Sequence, residues 1–161
     1  KALIESPAWV KTGDNLLLFG ASGIGKTHLA SSIGYGLVEA GLRVKFSSAS
    51  SLVQHLQKAK QGFRLEDALL KLDKYAVLIL DDIGYIRKTD QETSVLFELI
   101  AHRYERKSLV ITANQSFEDW DELFDDTVMT VAAIDRLVHH AKILQCKGES
   151  YRRKTMLKTR D

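Results

Sequence analysis

The chain has 161 residues, 45% of them apolar and 27% charged, which is typical of one globular domain that can bury its own core. Its single cysteine, Cys146, excludes an internal disulfide framework, and its longest apolar run, residues 75–80, is too short to cross a bilayer. The net charge of +2 conceals an asymmetry, because residues 147–161 carry a net charge of +4 and the rest of the chain a net charge of −2.

Apolar patterns of two periods alternate along the first half of the chain. A short apolar run at residues 15–19 predicts a buried strand, and a stripe that begins at residue 30 predicts a helix that ends at Gly41. A second strand is predicted at residues 42–46. Two further helices are predicted by the apolar stripes at residues 52–56 and 65–72.

The second half of the chain continues this alternation. Residues 77–80 predict the clearest strand, which is apolar on both faces and therefore typical of a parallel sheet covered by helices. A helix around residues 96–104, a strand at 109–112, a helix at 131–140 and a possible fifth strand at 141–145 follow. The fold class predicted by this order is α/β with a parallel sheet.

The segment between the first predicted strand and helix matches the phosphate-binding pattern G-x-x-x-x-G-K-[ST] without a mismatch. Its glycines allow a turned backbone whose N–H groups face an anion, and the helix N-terminus adds positive field there. We expect Lys26 to reach the β and γ phosphates and the Thr27 hydroxyl to hold Mg²⁺. The alternative is a glycine-rich turn that only joins strand to helix. The predicted nucleotide-binding set is Gly20, Ala21, Ser22, Gly23, Ile24, Gly25, Lys26, Thr27 and His28.

Two acidic residues follow the clearest strand. Asp81 and Asp82 lie at its carboxyl end, and open α/β sheets bind their ligands at that edge. Asp81 fits a residue that holds Mg²⁺ through water, and Asp82 fits one that polarises the attacking water. The shorter side chain of Asp, where many related ATPases have Glu, suggests slow or partner-gated hydrolysis. The alternative is a pair of solvated carboxylates at a strand end.

Two further polar residues are candidates for catalysis. Asn114 follows the fourth predicted strand, where an amide could hold the lytic water or the γ-phosphate, although asparagine also forms turns at strand ends. Arg136 lies on a predicted helix and could neutralise charge on a γ-phosphate from a neighbouring subunit. The alternative for Arg136 is a surface ion pair with Asp135 or Glu122.

The histidines are not predicted to bind a metal. His139 and His140 are adjacent on a predicted helix and would point to different sides of it. No spacing of cysteine and histidine in the chain resembles a zinc site.

Four segments of the chain together resemble a known family: GASGIGKTHLA, LLKLDKYAVLILDDIGYIRK, ETSVLFELIAHRYERKSLVITANQ and MTVAAIDRLVHHAKI with GESYRRK. They are similar to the IstB-type transposition helper ATPases of insertion sequences, which belong to the AAA+ class and are close to DnaC-type helicase loaders. The resemblance covers nearly the whole chain.

This resemblance implies an AAA+ core with a five-stranded parallel sheet and a reduced lid. It also implies binding of ATP or ADP with Mg²⁺, self-assembly into a ring or helical oligomer, binding of double-stranded DNA without strong sequence preference, and help to a transposase. In the family scheme Lys26 and Thr27 fall on Walker A, Asp81 and Asp82 on Walker B, Asn114 on sensor 1, Arg136 on the arginine finger, and Arg153, more weakly, on a late nucleotide contact.

The resemblance also bears on domains and location. We expect residues 1–146 to form the ATPase core and residues 147–161 a basic tail, with a partner-binding helical domain of the family absent before residue 1. The chain begins at Lys1 rather than Met, so we expect it to be a piece of a longer protein of the bacterial cytoplasm. A DnaC-type helicase loader, a small-molecule or nucleotide kinase and a non-catalytic scaffold remain as alternatives.

Binding to DNA requires lysine and arginine side chains that contact phosphates. Each basic cluster of the chain is a candidate, although a solvated surface is the ordinary alternative for any one of them. We favour the insert between the second and third predicted strands. The candidate residues are Lys58, Lys60 and Arg64 in that insert, Arg87 and Lys88 after the acidic strand end, and Arg152 and Lys154 in the tail.

Overall fold

The computed structural model describes residues 2–21, 23–85, 89–114 and 127–146. Strands and helices alternate through these ranges after two short helices at the start. Two consecutive helices connect the second strand to the third, and a 3₁₀ turn at Ile83–Tyr85 follows the third strand. The helices are α1 (Ala2–Glu5), α2 (Ala8–Lys11), α3 (Lys26–Glu39), α4 (Ala49–Gln61), α5 (Leu65–Leu72), α6 (Asp90–Arg103) and α7 (Thr127–Val138). The strands are β1 (Asn15–Gly20), β2 (Val44–Ser48), β3 (Val77–Asp81), β4 (Ser108–Ala113) and β5 (Ala141–Cys146).

The five strands form one parallel sheet in the order β2-β3-β4-β1-β5. The predicted α/β class and the fifth strand are therefore confirmed. Because all strands run the same way, the carboxyl ends of β1, β3 and β4 meet at one edge of the sheet. None of the helices in the described part of the chain has the length and apolar character needed to cross a membrane.

Helices cover both faces of the sheet, because successive side chains of a strand point to opposite faces. In β1, Leu16 and Leu18 pack against α2 and α3, whereas Leu17 and Phe19 pack on the side of α4 to α7. β3 is buried at every position, as the apolar run at residues 77–80 predicts, and the burial extends to Asp81 at its end.

Several element boundaries differ from those predicted. β2 begins at Val44, because Gly41 adopts a left-handed φ of 92° and the Leu42 N–H bonds back to the Leu37 carbonyl, which places Leu42 in the turn after α3. α7 ends at Val138, two residues earlier than predicted, and His140 has a left-handed φ of 59°. The adjacent histidines therefore lie in a turn.

A buried arginine joins segments on the α4–α7 side of the sheet. The Arg103 side chain, 1% exposed, donates from Nη1 to the Leu72 carbonyl at 3.1 Å and from Nη2 to the Tyr75 and Ser108 carbonyls at 3.0 Å each. Burial lowers the pKa of the guanidinium to about 10, so it stays charged at neutral pH. It connects the end of α5, the approach to β3 and the start of β4.

Replacing Arg103 with methionine is expected to lower the free energy of unfolding by about 3 kcal/mol, because three carbonyls lose their buried donor. Urea denaturation measures the change. The matched control is Arg106→Ala, which removes an exposed ion pair with Asp73 and should cost less than about 1 kcal/mol. Equal losses of stability in the two variants would contradict the role of Arg103.

Candidate functional site

The carboxyl edge of the sheet gathers the polar residues that the sequence singled out. β1 ends at Gly20, β3 at Asp81 and β4 at Ala113, and Asn114 follows directly. The parallel register places these ends side by side, with Phe19 opposite Ala113 and Gly20 opposite Cys146. The phosphate loop leaves this edge and enters α3.

The backbone of the phosphate loop depends on glycine at two places. Gly23 and Gly25 have left-handed φ angles of 83° and 95°, and α3 begins immediately afterwards at Lys26. A side chain at Gly20 is excluded for another reason, because its Cβ would lie 2.6 Å from the Cys146 carbonyl oxygen. The loop is thus fixed between β5 and the N-terminus of α3, a geometry that suits an anion. Ser22 lies outside the described residues.

Lys26 is held inside the loop by three acceptors. Its Nζ donates to the Gly20 carbonyl at 2.7 Å, the Ala21 carbonyl at 2.9 Å and Asn114 Oδ1 at 2.8 Å. Only 5% of the residue is exposed. Burial lowers the pKa of the ammonium, and the charges of Asp82, Cys146 and Asp81 partly offset that effect. The predicted Lys26 and Asn114 therefore belong to one site.

A hydrogen-bond network centred on Asp81 joins three segments. The Thr27 hydroxyl donates to both carboxylate oxygens of Asp81 at 3.0 Å, and the Thr112 hydroxyl donates to Oδ1 at 2.6 Å. Thr112 Oγ1 in turn accepts the Asp82 N–H at 2.9 Å. Thr112 was not predicted as a site residue, although it lies in the same polar strand end as Asn114.

Asp82 has an uncommon backbone conformation that the neighbouring strand holds in place. Its φ of 59° is left-handed, which is uncommon for a residue other than glycine, and the Thr112 hydrogen bond fixes its backbone. Partial burial raises the pKa of its carboxyl, the neighbouring Asp81 raises it further, and Lys26 opposes both. A carboxylate of raised basicity beside a phosphate site can accept a proton from water.

The donor atoms at this edge fit a magnesium nucleotide. The Thr27 hydroxyl and the Asp81 carboxylate are hard oxygen ligands of the kind that Mg²⁺ prefers. They already face each other at 3.0 Å beside the phosphate loop. A hypothetical Cβ on Gly25 would contact no described atom within 4 Å, so the space beside this glycine is open.

Two other residues predicted for the nucleotide site lie at the phosphate loop, and Arg136 lies on a different element. Ile24 is half-buried in the loop, and His28 is exposed in the first turn of α3. Arg136 is in the last turn of α7, where Nη1 donates to the Ala132 carbonyl and the guanidinium lies 5.2 Å from the Phe97 ring centre. The end of α7 lies near the amino ends of the strands, because β5 begins directly after it. Lys26 lies at the opposite, carboxyl edge of the sheet, so Arg136 does not contact Lys26 of its own chain. Arg153 lies outside the described residues.

A second concave surface is strongly basic. A cleft of about 680 Å³ lies between the edge strand β2 and helices α4 and α5. We call it the cationic cleft, and Asp67 is the one carboxylate among the described residues that line it. Its lysine and arginine residues are Lys45, Lys58, Arg64, Lys71 and Lys74.

The cationic cleft separates residues that the sequence grouped together. Lys58 and Arg64 line it, whereas Lys60 turns away to Glu98 at 3.4 Å and Ser94 at 3.3 Å on α6. Lys45 and Lys74 were not predicted, and their ammonium groups lie 5.7 and 5.2 Å from the centre of the Tyr75 ring. The predicted Arg87, Lys88, Arg152 and Lys154 lie outside the described residues.

Comparison with known proteins identifies the family. The sequence pattern of the IstB-like ATP binding protein family matches residues 2–159. The chain belongs to this family. The resemblance seen in the sequence is thereby confirmed, and the phosphate loop agrees with the ATP binding for which the family is named.

Relatives of the IstB-like chain are named as ATP-binding proteins of insertion sequences. One from Sinorhizobium fredii is 52% identical over 159 residues, which are 99% of this chain and 53% of that relative. One from the insertion sequence IS21 of Pseudomonas aeruginosa is 47% identical over 147 residues, 91% of this chain and 56% of the relative. The chain thus spans about half the length of these curated relatives.

Solved structures share the fold of the IstB-like chain at low sequence identity. DnaI matches with a TM-score of 0.75 at 20% identity, covering 90% of this chain and 79% of DnaI. The DnaC helicase loader matches with a TM-score of 0.65 at 22% identity, covering 91% of this chain and 88% of the loader. AMPPCP-bound DnaA from Aquifex aeolicus matches with a TM-score of 0.72 at 17% identity, covering 99% of this chain and 48% of DnaA. The fold is that of the AAA+ phosphate-loop ATPases, as predicted.

Replacing Thr112 with valine keeps the side-chain shape but removes the hydroxyl between Asp81 and Asp82. We expect affinity for ADP with Mg²⁺ to fall about tenfold, since removing a buried hydrogen bond to a charged group costs about 1.5 kcal/mol. Calorimetric titration with and without Mg²⁺ measures this. Thr112→Ser retains the hydroxyl and should bind as the native chain does; identical behaviour of the valine and serine variants would argue against the network.

Proposed function

We propose that this chain is the ATP-hydrolysing core of a regulator that assembles on double-stranded DNA and helps a transposase in DNA transposition. The observation that carries the proposal is the joint placement of Lys26, Asn114, Asp81 and Thr27 at one sheet edge, in a chain of an ATP-binding family. Relatives at 47–52% identity are named for insertion sequences, which supports transposition as the process.

Hydrolysis of ATP to ADP and phosphate assigns a role to each site residue. Lys26 neutralises charge on the β and γ phosphates, and Thr27 and Asp81 would hold Mg²⁺, which when bound screens the phosphate oxygens. Asp82 accepts the proton of the attacking water, and Asn114 orients that water or the γ-phosphate. The raised pKa of Asp82 supports its role as the acceptor.

Arg136 is proposed to complete this site from a neighbouring subunit. The residue lies at the end of α7, away from Lys26 of its own chain, and donates a hydrogen bond only to a backbone carbonyl among the described contacts. An arginine that reaches the γ-phosphate of an adjacent protomer would make hydrolysis depend on assembly into a ring or helical oligomer. Arg153 is proposed as a further nucleotide contact.

The helicase-loader alternative has weaker support. The DnaC helicase loader and DnaI share the fold at 20–22% identity, and that degree of likeness shows the fold alone. The relatives of substantially higher identity carry insertion-sequence names. A transposase is therefore the proposed partner.

The cationic cleft is the proposed site for the DNA backbone. Five lysine and arginine side chains face it with one carboxylate, so its field attracts phosphates. Lys58 and Arg64 belong to the insert that the sequence favoured, and Lys71 adds a cation from α5. Lys60 is already paired with Glu98 on α6, so it is not proposed to contact DNA.

Three variants of the full-length protein test the ATPase proposal. Lys26→Ala should abolish nucleotide binding, whereas Asp82→Asn and Arg136→Ala should each bind ATP but lower DNA-stimulated phosphate release by at least about 100-fold. Mixing Asp82→Asn with Arg136→Ala should restore part of the rate, because an intact base and an intact finger then meet at some interfaces. No recovery in the mixture would overturn the neighbouring-subunit role. Transfer of phosphate to an acceptor instead of its release would favour a kinase.

The position of DNA is tested by the salt dependence of its binding. The variant Lys58→Ala/Arg64→Ala/Lys71→Ala should reduce the slope of log affinity against log salt by about 0.9 for each DNA phosphate that is no longer neutralised. Lys60→Ala is the matched control from the same helix and should leave the slope unchanged. Fluorescence anisotropy with duplex DNA of two unrelated sequences measures both variants, and thermal unfolding checks their folding. An unchanged slope in the triple variant would exclude the cationic cleft.

A further inference from the structure

Two reverse turns lie together at the amino edge of the sheet, opposite the nucleotide site. The turn between α6 and β4 contains Glu105, with a left-handed φ of 57°, and the turn between α7 and β5 contains His140, with a φ of 59°. The first turn also packs on Gly13, where a Cβ would lie 3.0 Å from the Glu105 carbonyl carbon. Both backbones are therefore held in conformations that L-residues adopt rarely.

These turns bring three metal-ligating side chains together. His139 Nε2 lies 3.5 Å from Glu105 Oε1, and one ligand atom each from Glu105, His139 and His140 lie within 4.8 Å of one another. The two imidazole rings are 4.1 Å apart at their centres and nearly perpendicular. The sequence-based expectation that the histidines point to different sides of a helix is wrong, because α7 ends at Val138.

The contact between His139 and Glu105 has a spacing that suits a small tetrahedral ion. Zinc bonds to imidazole nitrogen and carboxylate oxygen at about 2.0–2.2 Å, so its ligand atoms lie about 3.3–3.5 Å apart. The His139–Glu105 distance of 3.5 Å already meets this requirement. The Tyr104 ring meets the His139 ring edge-on at 5.8 Å and limits its rotation.

We propose that Glu105, His139 and His140 form a site for a divalent transition-metal ion such as Zn²⁺, with a fourth position open to water or to a ligand from another molecule. Two imidazoles and one carboxylate favour Zn²⁺ over Mg²⁺ or Ca²⁺, which prefer oxygen ligands. The site is separate from Thr27 and Asp81. All three side chains are exposed, so the ion has free access.

An ion at this position would tie the turn after α6 to the turn after α7. Arg136 lies three residues before His139, so a bound ion would also fix the end of the helix that carries it. The proposal does not depend on ATP hydrolysis or on DNA binding. The absence of metal binding would therefore leave the proposed function untouched, and a failure of the proposed function would leave the metal site untouched.

The test is a titration of the tag-free protein with Co²⁺, followed by visible absorption and by competition with Zn²⁺. We expect one equivalent bound per chain with the spectrum of a tetrahedral site, and a stabilising shift of thermal unfolding by Zn²⁺. His140→Gln and Glu105→Gln should each weaken binding at least tenfold. His140→Gln is the decisive variant, because it leaves the His139–Glu105 contact in place.

His55→Gln is the matched control, since this histidine is exposed and lies outside the site. It should retain native affinity for Co²⁺ and Zn²⁺. Native affinity in His140→Gln, an equal loss of affinity in the control, or no binding of either ion would overturn the proposal and leave an ordinary surface ion pair between His139 and Glu105. Circular dichroism of each variant confirms that weaker binding does not come from unfolding.

Discussion

The Asp81 carboxylate is the point on which the nucleotide site depends. Thr27 at the start of α3 and Thr112 in β4 both donate hydrogen bonds to it, and Thr112 also accepts the Asp82 N–H. One buried anion thus sets the position of the phosphate loop relative to two neighbouring strands. The parallel register makes this possible, because it brings the ends of β3 and β4 to the same edge of the sheet. The hydrogen bond from the Asp82 N–H to Thr112 also fixes the backbone direction where the chain leaves β3.

Much of the fold and of the nucleotide site follows from local sequence patterns. The apolar run of β3, the glycine-rich segment of residues 20–25 and the acidic pair at the end of β3 each lie within a short stretch of sequence, so they can be recognised without the structure. Thr112 is different, because its contact with Asp81 joins residues far apart in the chain and depends on the pairing of β3 with β4. No pattern within β4 distinguishes Thr112 from a polar residue that merely ends a strand.

Two expectations about side-chain direction meet different outcomes. The one for His139 and His140 is wrong, whereas the DNA contacts of Lys58 and Lys60 stay predictions, although the two side chains face apart. Lys58 and Lys60 are two positions apart on α4, and helical geometry turns such residues to different faces, so a helical projection would have separated them. The histidines at the end of α7 posed a harder problem. Where α7 stops depends on a left-handed His140, and histidine carries no strong signal for that conformation. A difference of two residues in one helix end therefore changed the inferred chemistry of the pair.

The three hydrogen bonds of Lys26 have a thermodynamic consequence. With its ammonium already satisfied by the Gly20 and Ala21 carbonyls and by Asn114, an arriving phosphate exchanges partners rather than filling an unmet demand. The affinity for nucleotide is then a difference between two sets of contacts, and the carbonyls that Lys26 leaves must find other donors. If Lys26 binds phosphate as proposed, Asn114 is one of the partners exchanged, so occupancy of the loop would also change the hydrogen bonding at the end of β4.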